Sequence, residues 1–342
     1  MKNKLLTKIL LVVYCLALAL TFAGCGEKQE EEKISHQVIV TDIENGRIVV
    51  ANLDLADPFA ANNLIWEWYP TEALGWGDVT QERLAESISG VKYRWSEFYQ
   101  TNVVLFCTSR GVAGMIEYPS GKCLWKTKVS GISPHSIELM PNGDIAVATS
   151  GSGDWKEGKL HYYQMAADGS YTMVDECPLN GGHGLLWDPD NEVLWALGFP
   201  MLEAYSPQRG SDGKTVLYRV EDWGDEVPDA TGHDLMPVYG NHDLLWMTDD
   251  VSIMQYSKSQ NKVLKEFPNS KKLMVMPTVK GVTNFSDGVV AFVSYGDVSG
   301  TEPHPHIVRV FWPKEDGTYE LAKVQNPGFG FNKIRVFTTD YI

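Results

Sequence analysis

Three related stretches decide the fold, because each places a histidine just before an apolar run. They are "GISPHSIELMPNGDIAVATSG" at 131–151, "GGHGLLWDPDNEVLWALG" at 181–198 and "TGHDLMPVYGNHDLLWMTDD" at 231–250. His135, His183 and His233 are therefore 48 and 50 residues apart. A motif that returns at an interval of this size indicates a chain built from repeated structural units.

Outward from these histidines, the chain continues as short strand-like runs separated by turn signals. The unit that begins at His135 contains HSIEL, DIAVATS, KLHYYQM and YTMVDEC. Units of four such runs also begin at His183, at His233, at Val282 and, upstream, at Tyr93. Runs rich in Val, Ile, Tyr, Phe and Trp between NG, DG and SG turns are typical of strands. Five sets of four strands at a period of about 40–50 residues predict a β-propeller.

The two ends of the chain supply the remaining blade. Residues 37–69 offer only three strands (QVIVTD, RIVVANL and LIWEWY), and the C-terminal NKIRVFTTDYI offers one unmatched strand. Pairing them removes two exposed sheet edges. The sequence thus predicts an all-β domain over 36–342, a six-bladed β-propeller with four-stranded antiparallel blades and a closing blade shared by the N- and C-terminal strands. Seven blades are the alternative if 71–92 contain further strands, and a sandwich does not explain the fixed repeat.

The N-terminal segment has the pattern of an export signal. Three lysines precede an apolar run, and "FAGC" at 22–25 is similar to a bacterial lipobox, in which the cysteine is lipidated. An ordinary cleaved signal peptide is the alternative. The acidic GEKQEEEK that follows favours a lipoprotein, with a signal peptide at 1–24, lipidation at Cys25 and an acidic tether at 25–35. We therefore expect a membrane-anchored protein that faces outside the cytoplasm.

The charge of the chain limits its partners. The formal net charge is −15, and removal of 1–24 leaves 26 basic and 44 acidic residues, a net charge of −18. Such a charge argues against nucleic acid as a partner. A closed propeller has no free sheet edge to cover, so we expect a monomer.

In a propeller of this layout the first strand of each blade lines the central channel. His135, His183 and His233 should then meet at one end of the channel, and the matching places in other blades hold Lys92, Arg94, Lys280 and Lys333. A positive mouth in an acidic protein favours an anionic or carbohydrate ligand, with the histidines donating hydrogen bonds. Glu138 and Asp234 are candidate accessory residues. Trp76, in a glycine-flanked loop, is a candidate platform for sugar stacking, the alternative being that the tryptophans pack between strands.

Three other interpretations stay open. The histidines are structural if each forms a hydrogen bond inside its blade. They are metal ligands if their nitrogens converge on a divalent ion, as a metal-dependent polysaccharide lyase or hydrolase would require. The channel is merely structural if the protein is an interaction scaffold. The chain lacks a nucleophile elbow, an HExxH motif, a phosphate loop and a dinucleotide fingerprint, so no catalytic residue is assigned and a binding function is favoured over an enzymatic one.

The ordered series "HSIELMPNGDIAVATS", "GHGLLWDPDNEVLWALG" and "GHDLMPVYGNHDLLWMTDD", with "LIWEWYP" before it and "VKG" after it, resembles an uncharacterised family of bacterial secreted and lipoprotein β-propellers. The resemblance covers residues 36–342 and implies blades laid out as in NHL-like propellers. It implies no assigned reaction. Members of the family often occur near polysaccharide-degrading systems, which implies carbohydrate as a ligand class by analogy.

Overall fold

The computed structural model describes residues 34–79, 87–129, 133–151, 156–227, 232–276, 278–294, 307–324, 326 and 328–339. The predicted signal peptide at 1–24, the lipidation site Cys25 and most of the predicted tether lie outside the described residues. In the part of the chain that is described, no helix is both long and apolar enough to cross a membrane.

Twenty-four strands within these ranges form six antiparallel sheets of four strands each. The first three strands are β1 (Gln37–Asp42), β2 (Arg47–Asn52) and β3 (Trp66–Trp68). The next two sheets are β4 (Ile88–Ser96), β5 (Thr101–Thr108), β6 (Val112–Glu117) and β7 (Cys123–Lys128), then β8 (Pro134–Leu139), β9 (Ile145–Thr149), β10 (Lys159–Met165) and β11 (Tyr171–Pro178). The predicted four-stranded blades are confirmed.

The second half of the chain repeats the same plan. Its strands are β12 (Gly184–Asp188), β13 (Val193–Leu197), β14 (Met201–Arg209), β15 (Thr215–Glu226), β16 (Asp234–Val238), β17 (Asn241–Thr248), β18 (Ile253–Ser257), β19 (Lys262–Leu264), β20 (Val279–Asn284), β21 (Val290–Ser294), β22 (Ile307–Pro313), β23 (Tyr319–Val324) and β24 (Phe331–Val336). The short helices in the described residues are a 3-10 turn at Glu72–Leu74 and α1 at Ser270–Leu273.

The C-terminal strand completes the first blade. β24 pairs antiparallel with β1, with Val336 opposite Val38, and the sheet order is β24-β1-β2-β3. The predicted closing blade is therefore confirmed, and the count is six blades. His36, which directly precedes β1, is almost fully buried, and its Nδ1 and Nε2 lie 2.7 Å and 2.9 Å from carboxylate oxygens of Asp54 and Asp287. This histidine ties the start of β1 to the β20–β23 blade.

Position within a blade decides how a strand is buried. Every residue of β9 and of β13 is buried, because these middle strands are covered on both faces by neighbouring blades. The outermost strands, such as β11, mix half-buried and exposed residues because one side faces solvent. Hydrophobic clusters fill the spaces between blades; one combines Val38 and Phe331 of the closing blade with Val293 and Val308 of the neighbouring one. Burial of these faces is what holds the blades against each other.

The six innermost strands form a closed ring around the channel. β4, β8, β12, β16 and β20 contact each other in chain order, and β24 contacts both β20 and β4. The spacing is close: a Cβ on Gly90 of β4 would lie 2.8 Å from the backbone oxygen of His135 on β8. Glycine is required there because a larger residue would push the two strands apart. The same contact shows that Gly90 and His135 are at the same depth in the channel.

Candidate functional site: the central channel

The three histidines meet at one end of the channel. His135 is the second residue of β8, and His183 and His233 directly precede β12 and β16. The rings of His135 and His183 are stacked, with centroids 4.2 Å apart and planes inclined by 23°. The ring of His233 meets that of His183 edge to face, at 5.1 Å and 83°. Three neighbouring blades thus place their imidazoles in direct contact, because each histidine occupies the same position in its repeat.

A lysine from the next blade completes this cluster. Lys280, the second residue of β20, brings its Nζ to 3.0 Å from Nε2 and 3.4 Å from Nδ1 of His233. The Nε2 atom of the same ring lies 2.5 Å from a carboxylate oxygen of Asp250. We call His135, His183, His233 and Lys280 the histidine mouth.

These contacts assign the ring proton of His183. The Nδ1 atom of His183 is 2.8 Å from the backbone oxygen of Gly181, so Nδ1 carries the proton and donates it. The Nε2 atom of His233 lies between a carboxylate oxygen of Asp250, at 2.5 Å, and the Nζ of Lys280, at 3.0 Å. A neutral imidazole that donates through one nitrogen has a lone pair on the other, so Nε2 of His183 is an acceptor. The N–H group of His183 is thus engaged within the protein, and hydrogen bonding from the histidines to a ligand stays a prediction.

Burial and positive charge keep the imidazoles neutral. Burial lowers the pKa of His135 to about 3, and the charges of Lys333 and Lys280 contribute to the shift. Burial also lowers the pKa of His183 far below its ordinary value, and His135 and His233 contribute to this shift. Burial, then the charge of Lys333, lowers the pKa of Lys280 itself to about 8. The mouth therefore combines neutral acceptors with one ammonium group that is charged at neutral pH.

The geometry does not suit a metal held by the three histidines. Each nitrogen ligand must point at the ion from about 2.0–2.1 Å in the plane of its ring. The planes of His135 and His183 are nearly parallel, so they do not cross within that distance. In the described ranges no group of three His, Cys, Asp or Glu side chains is arranged to hold a metal ion.

Deeper in the channel lies a first buried ionic cluster, formed by Lys92, Arg94 and Glu138. Lys92 Nζ is 2.7 Å from Glu138 Oε2, and Arg94 Nε is 2.9 Å from Glu138 Oε1. Lys92 also donates to the backbone oxygen of Leu185 on β12. Burial alone would raise the pKa of Glu138, but Arg94 and Lys92 lower it below its ordinary value. The carboxylate is thus ionised and holds both cations.

A second ionic cluster, formed by Lys333, Arg335 and Asp234, lies on β24 and β16. Arg335 NH2 and NH1 are 2.6 Å and 2.8 Å from the two carboxylate oxygens of Asp234, and Lys333 Nζ is 3.4 Å from one of them. Lys333 also donates to the backbone oxygens of His233 and Lys280. In these contacts, each cluster places two basic side chains around one carboxylate. The sequence analysis missed Arg335, although the repeated pattern Lys-x-Arg at 92–94 and 333–335 was the signal for it.

The predicted cations do not all belong to the mouth. Gly90 is level with His135, and a strand rises about 3.3 Å per residue, so Lys92 and Arg94 lie about 7 Å and 13 Å further along the channel. Arg94 lines cavities at the opposite end, beside Tyr93 and Val336. The placement of Arg94 at the same mouth as the histidines is a prediction that the structure corrects. Lys92 and Lys333 lie between the two ends.

Glu138 and Asp234, the two predicted accessory acids, both lie in the channel. Trp76, the third predicted accessory residue, does not. Glu138 and Asp234 act as counter-charges of the ionic clusters. Trp76 has no exposed surface and packs against Trp68 and Phe106 in the core between two blades. The prediction that Trp76 is an exposed stacking platform is wrong, because Val79 and the β2–β6 core cover the loop that carries it.

Six inner strands around an ionic channel with a histidine mouth define the protein as a six-bladed β-propeller. The chain belongs to the family of unknown function DUF6528, whose model matches residues 7–297. This confirms the resemblance to an uncharacterised propeller family. No curated protein matches the sequence.

The fold is similar to that of two solved structures, and a third aligns over part of its length. A functionally unknown protein from Desulfotomaculum acetoxidans aligns with 90% of this chain and 90% of its own, at 10% identity and a TM-score of 0.50. The β-propeller domain of Cps50 (Swd1) from Myceliophteria thermophila aligns over 88% and 86%, at 10% identity and a TM-score of 0.51. Hydrazine synthase from Kuenenia stuttgartiensis matches 69% of this chain, which spans 65% of that protein's chain, at 9% identity and a TM-score of 0.46. At such identities the likeness concerns the fold alone.

Proposed function

We propose that this chain is a lipid-anchored propeller outside the cytoplasm that binds a hydroxylated acid, such as a uronic acid sugar, at the histidine mouth. The observation that carries the proposal is the mutual contact of three imidazoles, one of which, His233, also contacts the ammonium group of Lys280. Imidazole lone pairs accept hydrogen bonds from hydroxyl groups, and the ammonium group attracts a carboxylate. A sugar acid carries both groups on one small ring.

The electrostatic field of the channel supports an acidic ligand over a neutral one. Two ionic clusters lie behind the mouth, Lys92 and Arg94 around Glu138 and Lys333 and Arg335 around Asp234. Their charges are buried, so solvent screens them weakly. An anion at the mouth is attracted by these four basic groups as well as by Lys280.

Binding is best tested by calorimetry with a uronic acid monosaccharide, its neutral hexose and acetate as probes. We expect the uronic acid to bind most tightly, because only it uses both the lone pairs and the charge. Lys280→Gln should weaken its binding about tenfold or more, since a buried charge partner is removed. Lys262→Gln, on the outermost strand of the adjacent blade and exposed, is the matched control and should bind normally.

The same titration has an expected pH dependence. Because the pKa of Lys280 is about 8, the ammonium form is present below that pH and is lost above it. Affinity for the uronic acid should therefore be highest below pH 8 and fall as the pH rises through it. Equal affinity for Lys280→Gln and the unchanged protein, or the absence of binding by every probe, would contradict the proposed site.

The anchoring part of the proposal rests on the sequence around Cys25, which is outside the described residues. An acidic tether after a lipidated cysteine would hold the propeller clear of the membrane surface. Metabolic labelling with a fatty acid should mark the unchanged protein and leave Cys25→Ser unmarked. A labelled Cys25→Ser protein, or an unlabelled natural one, would argue for another mode of export.

A further inference from the structure

A groove between two neighbouring blades lies away from the histidine mouth. β12 and β16 begin beside the mouth and run away from it, so the turns that follow them lie at the other end of the channel. The β12–β13 turn, the start of β17, the β18–β19 turn and the outermost strand β15 line a groove of about 740 Å³. That volume is in the range of about 300–1,000 Å³ that small-molecule sites occupy.

Trp223 supplies an aromatic wall of this groove. Its ring is stacked on that of Trp195, with centroids 5.8 Å apart and planes inclined by only 8°. Trp195 is buried in β13 and donates its indole N–H to Asp188 at 3.0 Å, which fixes its orientation. Trp223 itself is half-buried and lines the groove. The core side of this indole is thus covered by a rigid partner, while the rest of it borders the groove.

A wide β-bulge brings Trp223 to this position. Glu203 of β14 pairs with Gly224 of β15, and Tyr205 pairs with Arg219, so residues 220–223 oppose a single residue of β14. Extra residues of this kind bend a strand and change the direction of its side chains. The outermost strand of a propeller blade needs no such bulge to pair with its neighbour.

The bulge is specified by the sequence and fixed by the next blade. A Cβ on Gly224 would lie 1.9 Å from the backbone oxygen of Leu202, so only glycine fits there. The backbone N–H of Gly224 donates to Oδ1 of Asn261 at 2.9 Å, and Asn261 Nδ2 donates to the backbone oxygen of Asp222. Asn261 belongs to the β18–β19 turn, so both sides of the groove are joined by these bonds.

The polar side chains of the groove are mainly hydrogen bond acceptors. The one lysine, Lys258, has its Nζ 2.9 Å from a carboxylate oxygen of the buried Asp188, so its charge is paired. Nδ1 of His242 is 2.7 Å from a carboxylate oxygen of Asp190, which fixes two exposed side chains relative to each other. Other exposed acceptors around the groove are Asn191, Glu221 and Asp222.

These features together select the chemistry of a ligand. The C–H face of a sugar ring packs on an indole, and its hydroxyl groups donate to carboxylate and amide oxygens. An acidic sugar would be repelled by the carboxylates. The volume is several times the roughly 150 Å³ that holds one benzene ring, so the groove admits more than one sugar ring.

We propose that the groove beside Trp223 binds a neutral oligosaccharide, with one sugar ring stacked on the indole. The hydroxyl groups of that ring and of its neighbour donate to the acceptors on both blades. This site is separate from the histidine mouth, and it does not depend on the acidic ligand proposed there.

Calorimetry with three neutral trisaccharides, namely cellotriose, mannotriose and N,N′,N″-triacetylchitotriose, tests the site. We expect at least one of them to bind, and Trp223→Ala to weaken its binding about tenfold or more. Trp223→Phe keeps a ring and should recover part of the affinity. Trp95→Ala, which removes a tryptophan that is 44% exposed on another blade, is the matched control and should bind normally.

Two further variants complete the test. His242→Ala removes a side chain that is 63% exposed, so it leaves the core intact even if Trp223→Ala does not fold, and it should weaken binding about threefold or more. Lys280→Gln should bind the trisaccharide normally, so failure of the mouth and failure of the groove are distinguishable.

Three results would overturn the proposal. The first is the absence of binding by all three trisaccharides at millimolar concentration. The second is unchanged affinity in both Trp223→Ala and His242→Ala, which would place the sugar elsewhere. The third is tighter binding of spermidine than of every trisaccharide, because the carboxylates would then recognise a cation.

Discussion

Glu138→Gln should lower the free energy of unfolding by about 3–5 kcal/mol, the largest effect expected from a single polar substitution in this protein. The Glu138 side chain is fully buried and is the carboxylate that both Lys92 and Arg94 contact. Glutamine has almost the same shape but no charge, so the two cations would remain buried without their counter-charge. Urea unfolding, followed by circular dichroism, measures the loss.

A second substitution separates charge from packing. Lys92→Met in the Glu138→Gln background removes one of the uncompensated cations, so part of the lost stability should return, with a coupling energy of about 1–3 kcal/mol. Glu320→Gln is the matched control, because Glu320 pairs with Lys314 at 3.2 Å on the surface, with 64% of its side chain exposed. That variant should change stability by no more than about 1 kcal/mol. A similarly small loss for Glu138→Gln would mean that the carboxylate does not supply the counter-charge.

Acidification from pH 6.5 to 5 should destabilise the protein steeply. His135, His183 and His233 all have pKa values lowered by burial in the folded state, whereas in the unfolded chain histidine titrates near 6.5. The unfolded chain therefore binds more protons below pH 6.5, so stability is complete above that pH and is lost as the pH falls. A histidine whose pKa lies well below this range contributes about 1.4 kcal/mol per pH unit, which gives about 3 kcal/mol per unit for His135 and His183, and His233 adds to this slope in the same direction.

The control for this prediction is a protein with Asn at all three positions. It lacks the titrating rings of the mouth but keeps His161, a buried histidine on β10 whose pKa is also lowered and which contributes a background slope. Its unfolding free energy should depend much less on pH between 6.5 and 5. If the unchanged protein were as stable at pH 5 as at pH 7.5, the three rings would not be buried in neutral form.

Much of the fold could be predicted because the sequence repeats at the length of one blade. The recurring histidine marks the first strand of three blades, and the unmatched run that contains Lys333 identified the closing strand at the other end of the chain. Residues at the same position of successive repeats lie at the same level of a closed ring. The contact between the three histidines could therefore be predicted as well. Helical or sandwich folds impose no such relation.

The sequence could not predict how far along the channel a residue lies, nor which neighbouring residues cover it. Arg94 is only two residues from Lys92, yet the rise along β4 takes it to the other end of the channel. Trp76 sits between glycines, as an exposed loop residue would, but the neighbouring blade covers it completely. The roles of Glu138 and Asp234 depended on which cations from other blades reach them, and those distances exist only after folding.

The pairing of β24 with β1 has a consequence for biosynthesis. β24 carries Lys333 and Arg335, so a growing chain lacks two of the five channel cations until β24 has been made. A stalled or clipped product would present the unpaired edge of β1 and leave Asp234 without its arginine. Such truncated molecules should be degraded by proteases faster than the protein with a closed ring.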